Sequence, residues 1–422
     1  MVLQRHGHRG QAVLNFGFSF SRADVGYLRS DAGAAALREV AGFALADATR
    51  VADIAALRAR FGDRAPALVE TALLRRRAAA KLAGLGDVST WLFTDEALQQ
   101  ASAGPVALHR ARRITSMAPG AVVHDVTCSI GTELAALCEA GESVGRVLGS
   151  DLDPVRLAMA QHNLSGGSDG GADLVRADAL HPVSRDAVVL ADPARRREGR
   201  RRFNPHDYQP ALDRLLDTYR DRDMVVKCAP GIDFDQIARL GFDGEVEVTS
   251  WRGSVREACL WSCALTEPGV RRRASILDRD EQITDAEPPD CGVRPAGRWI
   301  IDPDGAVVRA GLVRHYGARH GLWQLDPDIA YLSGNRLPPG VRGFEVLERL
   351  GYSEKRLRQV LATLDCGALE ILVRGVPDVQ ADPDALRRRL RLRGHRPLSV
   401  VITRIGSGTA GRATAFVCRS SR

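Results

Sequence analysis

Three aspartates in the middle of the chain follow short β-type runs, where a carboxylate can bind a polar ligand. The run AVVHDV contains Asp125, RVLGSD ends at Asp151, and ADLVRAD ends at Asp178. Gly131 lies in the short loop after the first run, and a helical pattern begins directly after it at Thr132. Because parallel α/β sheets bind ligands beyond the carboxyl ends of their strands, we expect the three carboxylates to line one site.

The number of glycines and the charges of this motif indicate the type of ligand. Asp151 lies at a strand end from which a carboxylate can accept hydrogen bonds from both hydroxyls of a ribose. The loop CSIGTE has one glycine, whereas the GxGxxG turn that cradles a pyrophosphate has several. S-adenosylmethionine has no phosphate, and Asp125 can pair with its positive sulfonium and ammonium groups. The pattern therefore favours S-adenosylmethionine over a nicotinamide dinucleotide, with Asp178 and the Ala179 amide facing the adenine.

Thr127 and Leu152 complete the predicted cofactor site. We expect Gly131 to be required because a Cβ there would strike the bound cofactor.

Each aspartate near these strand ends could instead have a purely structural role. Asp153 precedes a proline and is typical of a helix cap. Asp178 alone could be a turn residue, and Asp125 alone could bond local amides.

A fourth strand-like run, AVVL, leads into ADPARR, so that Asp192, Pro193 and Arg195 follow it. This motif resembles the fourth-strand signature of class I methyltransferases that modify exocyclic amino groups: Asp or Asn, two prolines and an aromatic residue. The resemblance implies that Asp192 orients the lone pair of the target amine for in-line attack on the methyl group, and that Pro193 stiffens the loop. Arg195 replaces the aromatic residue that stacks a flipped base, and its guanidinium can stack on a base or hold a phosphate.

From residue 25 to about residue 420 the chain resembles the bacterial THUMP-like class I methyltransferases. The motifs that carry the resemblance are LFTDEAL, HDVTCSIGTE, DLDPVRLAMAQHN, ADPARR, VVKCAPG, YLSGN and RGFEVLERLG. The resemblance implies methyl transfer to RNA, with a small carboxy-terminal domain holding the substrate. Because the sulfonium already activates the methyl group, we expect positioning to supply most of the acceleration and no metal to take part. One departure is Ser129, which stands where many relatives have another glycine.

Hydrophobic periodicity predicts the elements that position these residues. Apolar residues at helical spacing precede residue 118, and alternating strand and helix patterns follow. We therefore predict an α/β fold in which a Rossmann-like, doubly wound sheet lies between a helical region and an α+β THUMP-like domain. The predicted segments are an extension (1–24), a helical domain (25–118), the methyltransferase domain (119–266), a linker (267–295), a β-rich, ferredoxin-like segment with a hairpin turn at Asp304 and Gly305 (296–338), and the THUMP-like domain (339–422).

Clustered basic residues are candidates for RNA contacts, and each cluster could also be solvated surface. The run ARRREGRRRF places arginines beside Asp192, where phosphate binding is favoured because the like charges repel one another without an anion. The other clusters lie on predicted helices and comprise Arg75, Arg76, Arg77, Lys81, Arg110, Arg112 and Arg113, and then Arg387, Arg388, Arg389, Arg391 and Arg393.

Four further residues could contact RNA, and each has a local alternative. Phe203, Tyr208 and Trp251 could stack on a base or belong to the core. Lys227 could contact substrate or pair with a carboxylate.

Composition is consistent with a globular chain and with a polyanionic partner. Of the 422 residues, 45% are hydrophobic and 26% charged, and Lys and Arg outnumber Asp and Glu by 59 to 52. The eight cysteines form no CxxC pair, which favours a reducing, cytoplasmic location without structural zinc. No signal peptide and no run of about 20 apolar residues is evident, so we predict no membrane span.

Three other functions are compatible with these patterns: an RNA-binding scaffold that has lost catalysis, a methyltransferase acting on DNA adenine or protein, and a nicotinamide oxidoreductase. The oligomeric state, the RNA and the modified nucleotide are not specified by the sequence.

Overall fold

The computed structural model describes residues 18–141, 145–165, 171–194, 196–197, 200–201, 205–380, 382–406 and 411–421. The chain forms two compact units, residues 1–194 and 195–422. Most of the predicted extension, residues 1–24, lies outside the described residues. Its last residues belong to the first helix, which begins at Arg22 with a Ser21–Asp24 capping box.

The amino-terminal part of the first unit is helical, as the spacing of its apolar residues predicts. Leu37, Val40, Leu57 and Leu68 from that pattern are buried. The helices described here are α1 (Arg22–Leu28), α2 (Asp31–Ala41), α3 (Arg50–Phe61), α4 (Ala65–Lys81), α5 (Asp95–Gln100) and α6 (Gly104–Met117).

A parallel sheet forms the rest of the first unit. Its strands are β1 (Val123–Asp125), β2 (Val147–Asp151), β3 (Asp173–Arg176) and β4 (Val188–Ala191), and its helices are α7 (Thr132–Glu139) and α8 (Pro154–Leu164). The strand order is β4-β1-β2-β3. Because β2 and β4 lie on opposite sides of β1, the sheet is doubly wound around that strand.

Five strands of the second unit form a mixed sheet in the order β11-β10-β8-β9-β7. The elements of this region are β5 (Arg196–Arg197), β6 (Arg200–Arg201), α9 (Leu212–Thr218), β7 (Met224–Cys228), α10 (Phe234–Arg239), β8 (Gly244–Trp251), β9 (Ser254–Ser262), β10 (Arg272–Ile276) and β11 (Glu281–Thr284). Since β10 and β11 lie within 267–295 and pair in this sheet, the prediction of a linker there is wrong.

A seven-stranded sheet completes the second unit, in the order β13-β14-β12-β15-β18-β17-β16. Its elements are β12 (Trp299–Ile301), α11 (Gly305–Ala310), α12 (Val313–Arg319), β13 (Trp323–Asp326), β14 (Ile329–Gly334), β15 (Gly343–Gly351), α13 (Glu354–Thr363), β16 (Cys366–Arg374), α14 (Pro377–Gln380), α15 (Pro383–Leu390), β17 (Arg396–Ile405) and β18 (Arg412–Ser420).

Both faces of this sheet are apolar. Val400 packs with Leu357 and Leu386 from the helices, whereas its neighbour Val401 packs on the opposite face with Phe416, as alternation along a strand requires.

The predicted hairpin turn at Asp304 and Gly305 is wrong. Asp304 instead caps α11, because its side chain accepts a hydrogen bond of 2.8 Å from the amide of Ala306. Within the described residues no helix is both long and apolar enough to cross a membrane.

Candidate functional site

The loops that follow β1 and β4 meet where the chain changes its winding direction across the sheet. The amide of Val126 donates a hydrogen bond of 2.9 Å to the carbonyl of Leu190. The amide of Asp192 donates one of 2.7 Å to Oγ1 of Thr127. Ligands of doubly wound sheets bind at this switch point, so that Thr127 and Asp192, both predicted from the sequence, lie where a ligand is expected.

Asp125 ends β1, and its side chain is buried with 1% of the residue exposed. Its Oδ1 accepts a hydrogen bond of 3.0 Å from the amide of Thr127, and its Oδ2 has no partner among the described residues. Burial raises the pKa of this carboxyl well above its usual range, the charges of Glu133, Asp192 and Asp151 raise it further, and the Thr127 amide lowers it. Because a buried oxygen without a donor is costly, the position favours a cationic or proton-donating ligand.

The loop after β1 is held in shape by the end of β2. The amide of Cys128 donates a hydrogen bond of 2.9 Å to the carbonyl of Ser150. The amide of Ser129 donates one of 3.0 Å to Oδ2 of Asp151. Ser129 has a φ of +49°, a left-handed conformation that is uncommon for residues other than glycine. The loop after β1 and Asp151 are therefore joined by hydrogen bonds.

Gly131 is the N-cap residue of α7 and has a φ of +85°, a conformation that favours glycine. An ideal Cβ on this residue would lie 3.2 Å from Cδ1 of Leu164 and 3.4 Å from Cβ of Ala160, both in α8. The backbone conformation and the packing against α8 therefore favour this glycine, and the expected clash of a Cβ with a bound cofactor stays a prediction. The assignment of Gly131 to the cofactor site stays a prediction.

The end of β2 presents an acid and an exposed apolar side chain. Oδ1 of Asp151 accepts a hydrogen bond of 2.8 Å from the amide of Asp153, and its Oδ2 bonds Ser129. Each carboxylate oxygen has a second lone pair that remains available to a ribose hydroxyl. Leu152 is 59% exposed, although large apolar side chains are usually buried. Asp153 caps α8 through the amides of its first turn, as its structural interpretation predicted.

Asp178 lies two residues beyond β3, which ends at Arg176 and not at the acid as predicted. Its Oδ1 accepts a hydrogen bond of 2.9 Å from the amide of Leu180, and its Oδ2 lies 3.4 Å from Nδ1 of His181. These are the contacts of a turn residue. Ala179 is buried with 7% exposure. The role of both residues toward adenine stays a prediction.

The three residues predicted to act on the substrate follow β4. Asp192 is half-buried and Pro193 is buried. Arg195 and Phe203 lie outside the described residues. In the arginine run, Arg196 and Arg197 pair with Arg201 and Arg200 as an antiparallel two-stranded hairpin.

Comparison with known proteins identifies the family. The chain is 71% identical over 370 residues to two Mycobacterium tuberculosis proteins, from strains CDC 1551 and H37Rv, named as uncharacterized S-adenosylmethionine-dependent methyltransferases; the match covers 87% of this chain and 100% of each relative. The chain belongs to the S-adenosylmethionine-dependent methyltransferases. The predicted enzyme class and cofactor are thereby confirmed.

Two regions of the methyltransferase match domain families. Residues 341–420 match the THUMP domain-like family, as predicted, and residues 21–78 match a domain of unknown function, DUF8688. A crystal structure of a proposed methyltransferase from Porphyromonas gingivalis W83 has the same fold, with a TM-score of 0.71 and 19% identity over 96% of this chain and 100% of that one. The α/β fold with a THUMP-like carboxy-terminal domain is therefore confirmed.

The acids of the first unit fit the cofactor of this family. Oδ2 of Asp125 needs a proton donor, and Asp125, Asp151 and Asp192 are close enough for their charges to interact. A cationic ligand such as S-adenosylmethionine reduces this repulsion and supplies the donor. In the described part of the methyltransferase, no group of three or more His, Cys, Asp or Glu side chains could hold a metal ion.

Asn163 also shapes the site, although sequence reasoning assigned it no role. Its Oδ1 accepts a hydrogen bond of 2.7 Å from the amide of Leu92, and its Nδ2 donates bonds of 3.0 Å to the carbonyls of Leu92 and Ile130. Asn163 therefore ties the helical region to the glycine loop of the methyltransferase. The signal was present in the motifs LFTDEAL and AMAQHN, each of which contains one partner.

A buried ion pair supports the first turn of α7 of the methyltransferase. Glu133 accepts a hydrogen bond from the guanidinium of Arg110 and one of 2.7 Å from the hydroxyl of Ser102. Arg110 is 1% exposed, so the prediction that it lies on an exposed basic face is wrong. Because the carboxylate neutralises it locally, Arg110 serves the packing of α6 against α7.

Most of the other basic residues of this helical region bind the protein itself. Arg75 donates a hydrogen bond to the carbonyl of Trp91, Arg76 to that of Phe43 and Lys81 to that of Leu98, while Arg77 pairs with Asp95. These contacts favour a structural role for the cluster. Arg112 is exposed.

The basic helix α15 is also partly neutralised. Arg387 pairs with Asp384, Arg388 with Asp382 and Arg389 with Glu354. Arg391 and Arg393 are exposed.

The individual residues predicted as possible RNA contacts differ in how deeply they are buried. Tyr208 is buried, and its hydroxyl accepts a hydrogen bond of 3.1 Å from the amide of Ala229, so it belongs to the core. Lys227 is also buried, with 3% exposure. Trp251 is half-buried at the end of β8 and remains accessible to a ligand.

Proposed function

We propose that this methyltransferase modifies a nitrogen of an RNA base and that Asp192 orients the target amine. The observation that carries the proposal is the position of Asp192 at the switch point, where Thr127 binds its amide. Its carboxylate is close enough to Asp125 to raise the pKa of that acid. Asp192 thus belongs to the same cluster of acidic residues as Asp125, whose buried carboxyl favours a cationic ligand.

In this proposal S-adenosylmethionine supplies, when bound, a methyl group that its positive sulfonium has already activated. Asp125 offers a buried acceptor to the charged part of the cofactor, and Asp151 offers lone pairs to its ribose. The exposed side chain of Leu152 covers an apolar surface of the cofactor. Asp192 accepts a hydrogen bond from the target amine and fixes the direction of its lone pair. Positioning then provides most of the acceleration, and no side chain has to form a covalent bond.

RNA is the proposed substrate because of the carboxy-terminal domain and the arginine run. Residues 341–420 match the THUMP domain-like family, and the resemblance noted in the sequence implies that this domain holds RNA. The run from Arg195 to Phe203 follows Asp192 directly in the sequence, so that phosphate-binding side chains would accompany the reacting base.

The test measures transfer of a labelled methyl group from S-adenosylmethionine to total RNA, to DNA and to protein, followed by mapping of modified nucleosides. We expect label in RNA, and we expect Asp192→Ala to lower the rate at least about 100-fold with cofactor affinity retained in calorimetry. Asp217→Ala, which changes an exposed aspartate paired with Arg220, is the control. Label in DNA or protein alone would contradict the RNA assignment, and an unchanged rate for Asp192→Ala would contradict its role.

A further inference from the structure

The turn between β8 and β9 carries an accessible tryptophan beside two arginines. The guanidinium carbon of Arg252 lies 4.4 Å from the centroid of the Trp251 ring, and that of Arg256 lies 5.3 Å from it. Neither guanidinium forms an ion pair with a carboxylate of the described residues, and both arginines are exposed. Within the described part of the chain, the turn therefore combines an aromatic side chain with two arginines that have no ion-pair partner.

The turn between β8 and β9 is a two-residue hairpin loop. Trp251 pairs with Ser254, and the two residues between them, Arg252 and Gly253, have φ values of +52° and +65°. Positive φ at both central positions defines a type I′ turn, which favours Asn-Gly. The amide of Gly253 donates a hydrogen bond of 3.2 Å to Oδ2 of Asp278. An arginine thus occupies a position at which asparagine is the usual residue.

A β-bulge brings the second arginine to the same place. Thr249 pairs with Glu257 and Ser250 with Val255, so that Arg256 is the extra residue. Bulges redirect side chains and are common near functional sites. Here the Nε of Arg256 donates a hydrogen bond of 3.0 Å to the carbonyl of Trp251, which holds its guanidinium beside the indole.

The turn lies at the carboxyl ends of β7 and β8. β9 runs antiparallel to β7, and their last paired residues at this end are Cys228 and Ala258. The four residues of β9 before Ala258 therefore extend about 13 Å beyond the carboxyl end of β7.

We propose that Trp251, Arg252 and Arg256 form a stacking site for an unpaired base of RNA. A base stacks on the part of the indole that the two guanidinium groups leave uncovered, and these groups bind the adjoining phosphates. Aromatic and arginine side chains recognise single-stranded RNA in this way, because its bases are free to leave the helical stack. The inference rests on the proposed RNA substrate, and it adds that the bound segment is single-stranded.

The experiment measures binding of the full chain to an end-labelled oligouridylate and to an RNA duplex of equal length by fluorescence anisotropy. We expect Trp251→Ala to weaken binding to the oligouridylate about 5- to 150-fold, the range for loss of one stacked base, and Trp251→Phe to retain most of the affinity. Equal affinities of wild type and Trp251→Ala for the oligouridylate would overturn the proposal.

Arg252→Asn separates binding from folding. It creates the Asn-Gly pair that a type I′ turn favours, so we expect an unchanged or higher melting temperature together with weaker RNA binding and a smaller dependence of affinity on salt. Unchanged affinity and salt dependence would show that Arg252 does not contact phosphate and would overturn its part in the site.

Binding and methyl transfer can fail independently. If RNA is methylated while Trp251→Ala binds and reacts as the wild type does, the stacking site is wrong and the proposed function stands. If Trp251-dependent RNA binding occurs without methyl transfer to RNA, the stacking site stands and the proposed reaction is wrong.

Discussion

The hydroxyl oxygen of Thr127 accepts a hydrogen bond of 2.7 Å from the backbone amide of Asp192. This bond joins the loop after β1 to the loop after β4, whose residues are far apart in sequence. The same threonine donates its own amide to Asp125. Thr127 therefore links the acid proposed to bind the cofactor with the acid proposed to orient the substrate.

Thr127→Val should lower the rate of methyl transfer more than it lowers cofactor affinity. Valine has nearly the same shape but cannot accept the bond, so that the Asp192 amide loses its partner at a cost of about 1–3 kcal/mol. We expect a reduction of kcat of about 10-fold or more, measured under cofactor saturation. Thr127→Ser keeps the acceptor and should remain close to the wild type; an equal loss in both variants would speak against this role.

Cofactor affinity should fall as the pH is lowered toward the raised pKa of Asp125. Below that pKa the carboxyl is protonated and no longer attracts the positive cofactor. Asp125→Asn should bind S-adenosylmethionine about 10- to 100-fold more weakly at pH 8, as expected for loss of a hydrogen bond to a charged group, with little pH dependence. Calorimetry at several pH values tests this. Asp153→Asn keeps a good helix cap and should bind as the wild type does.

In the cofactor-free protein, the raised pKa of Asp125 makes stability fall as the pH rises. Because the pKa of Asp125 is higher in the folded than in the unfolded chain, the folded state binds more protons between the two values, and this residue lowers stability as the pH rises through them. Asp125→Asn should therefore raise the melting temperature of the cofactor-free protein at pH 8. A lower melting temperature at that pH would contradict the proposed cost of the unpartnered oxygen.

Asn163→Ala should destabilise the first unit and weaken the cofactor site together. The change leaves the buried polar groups of Leu92 and Ile130 without partners, at a cost of about 3 kcal/mol. Urea denaturation measures this loss. Gln161→Ala on α8 removes only an exposed hydrogen bond of 3.0 Å from Arg29; it is the control and should cost about 0.5 kcal/mol or less.

Arg110→Ala should cost about 3–5 kcal/mol of stability, because it leaves the Glu133 carboxylate buried without its charge partner. Arg112→Ala on the same helix should cost about 0.5 kcal/mol or less. If the loss comes from the unpaired charge, the apolar double variant Arg110→Met with Glu133→Leu should recover much of it. Similar losses for the single and double variants would show that packing of the arginine itself dominates.

The succession of strands along the chain, and the acids that follow them, could be predicted from the sequence because both depend on neighbouring residues. A buried strand needs a short apolar run, and the turn that ends it needs polar residues or glycine. These local requirements place Asp125, Asp151 and Asp192 at or next to strand ends. The same reasoning identified Asp153 as a helix cap.

Tertiary partners decided what local patterns could not. The polar run at Arg273 resembled a linker, but its guanidinium is buried with 4% exposure and pairs with Glu245 on β8 and with Glu267. Arg110 similarly resembled a surface residue until folding brought Glu133 beside it. A charge can be buried only when an opposite charge or a hydrogen-bonding partner is present, and partners distant in sequence meet only in the folded chain. The amino-acid order therefore determined which acids end the strands, whereas the tertiary structure decided which charges face solvent and which are neutralised inside.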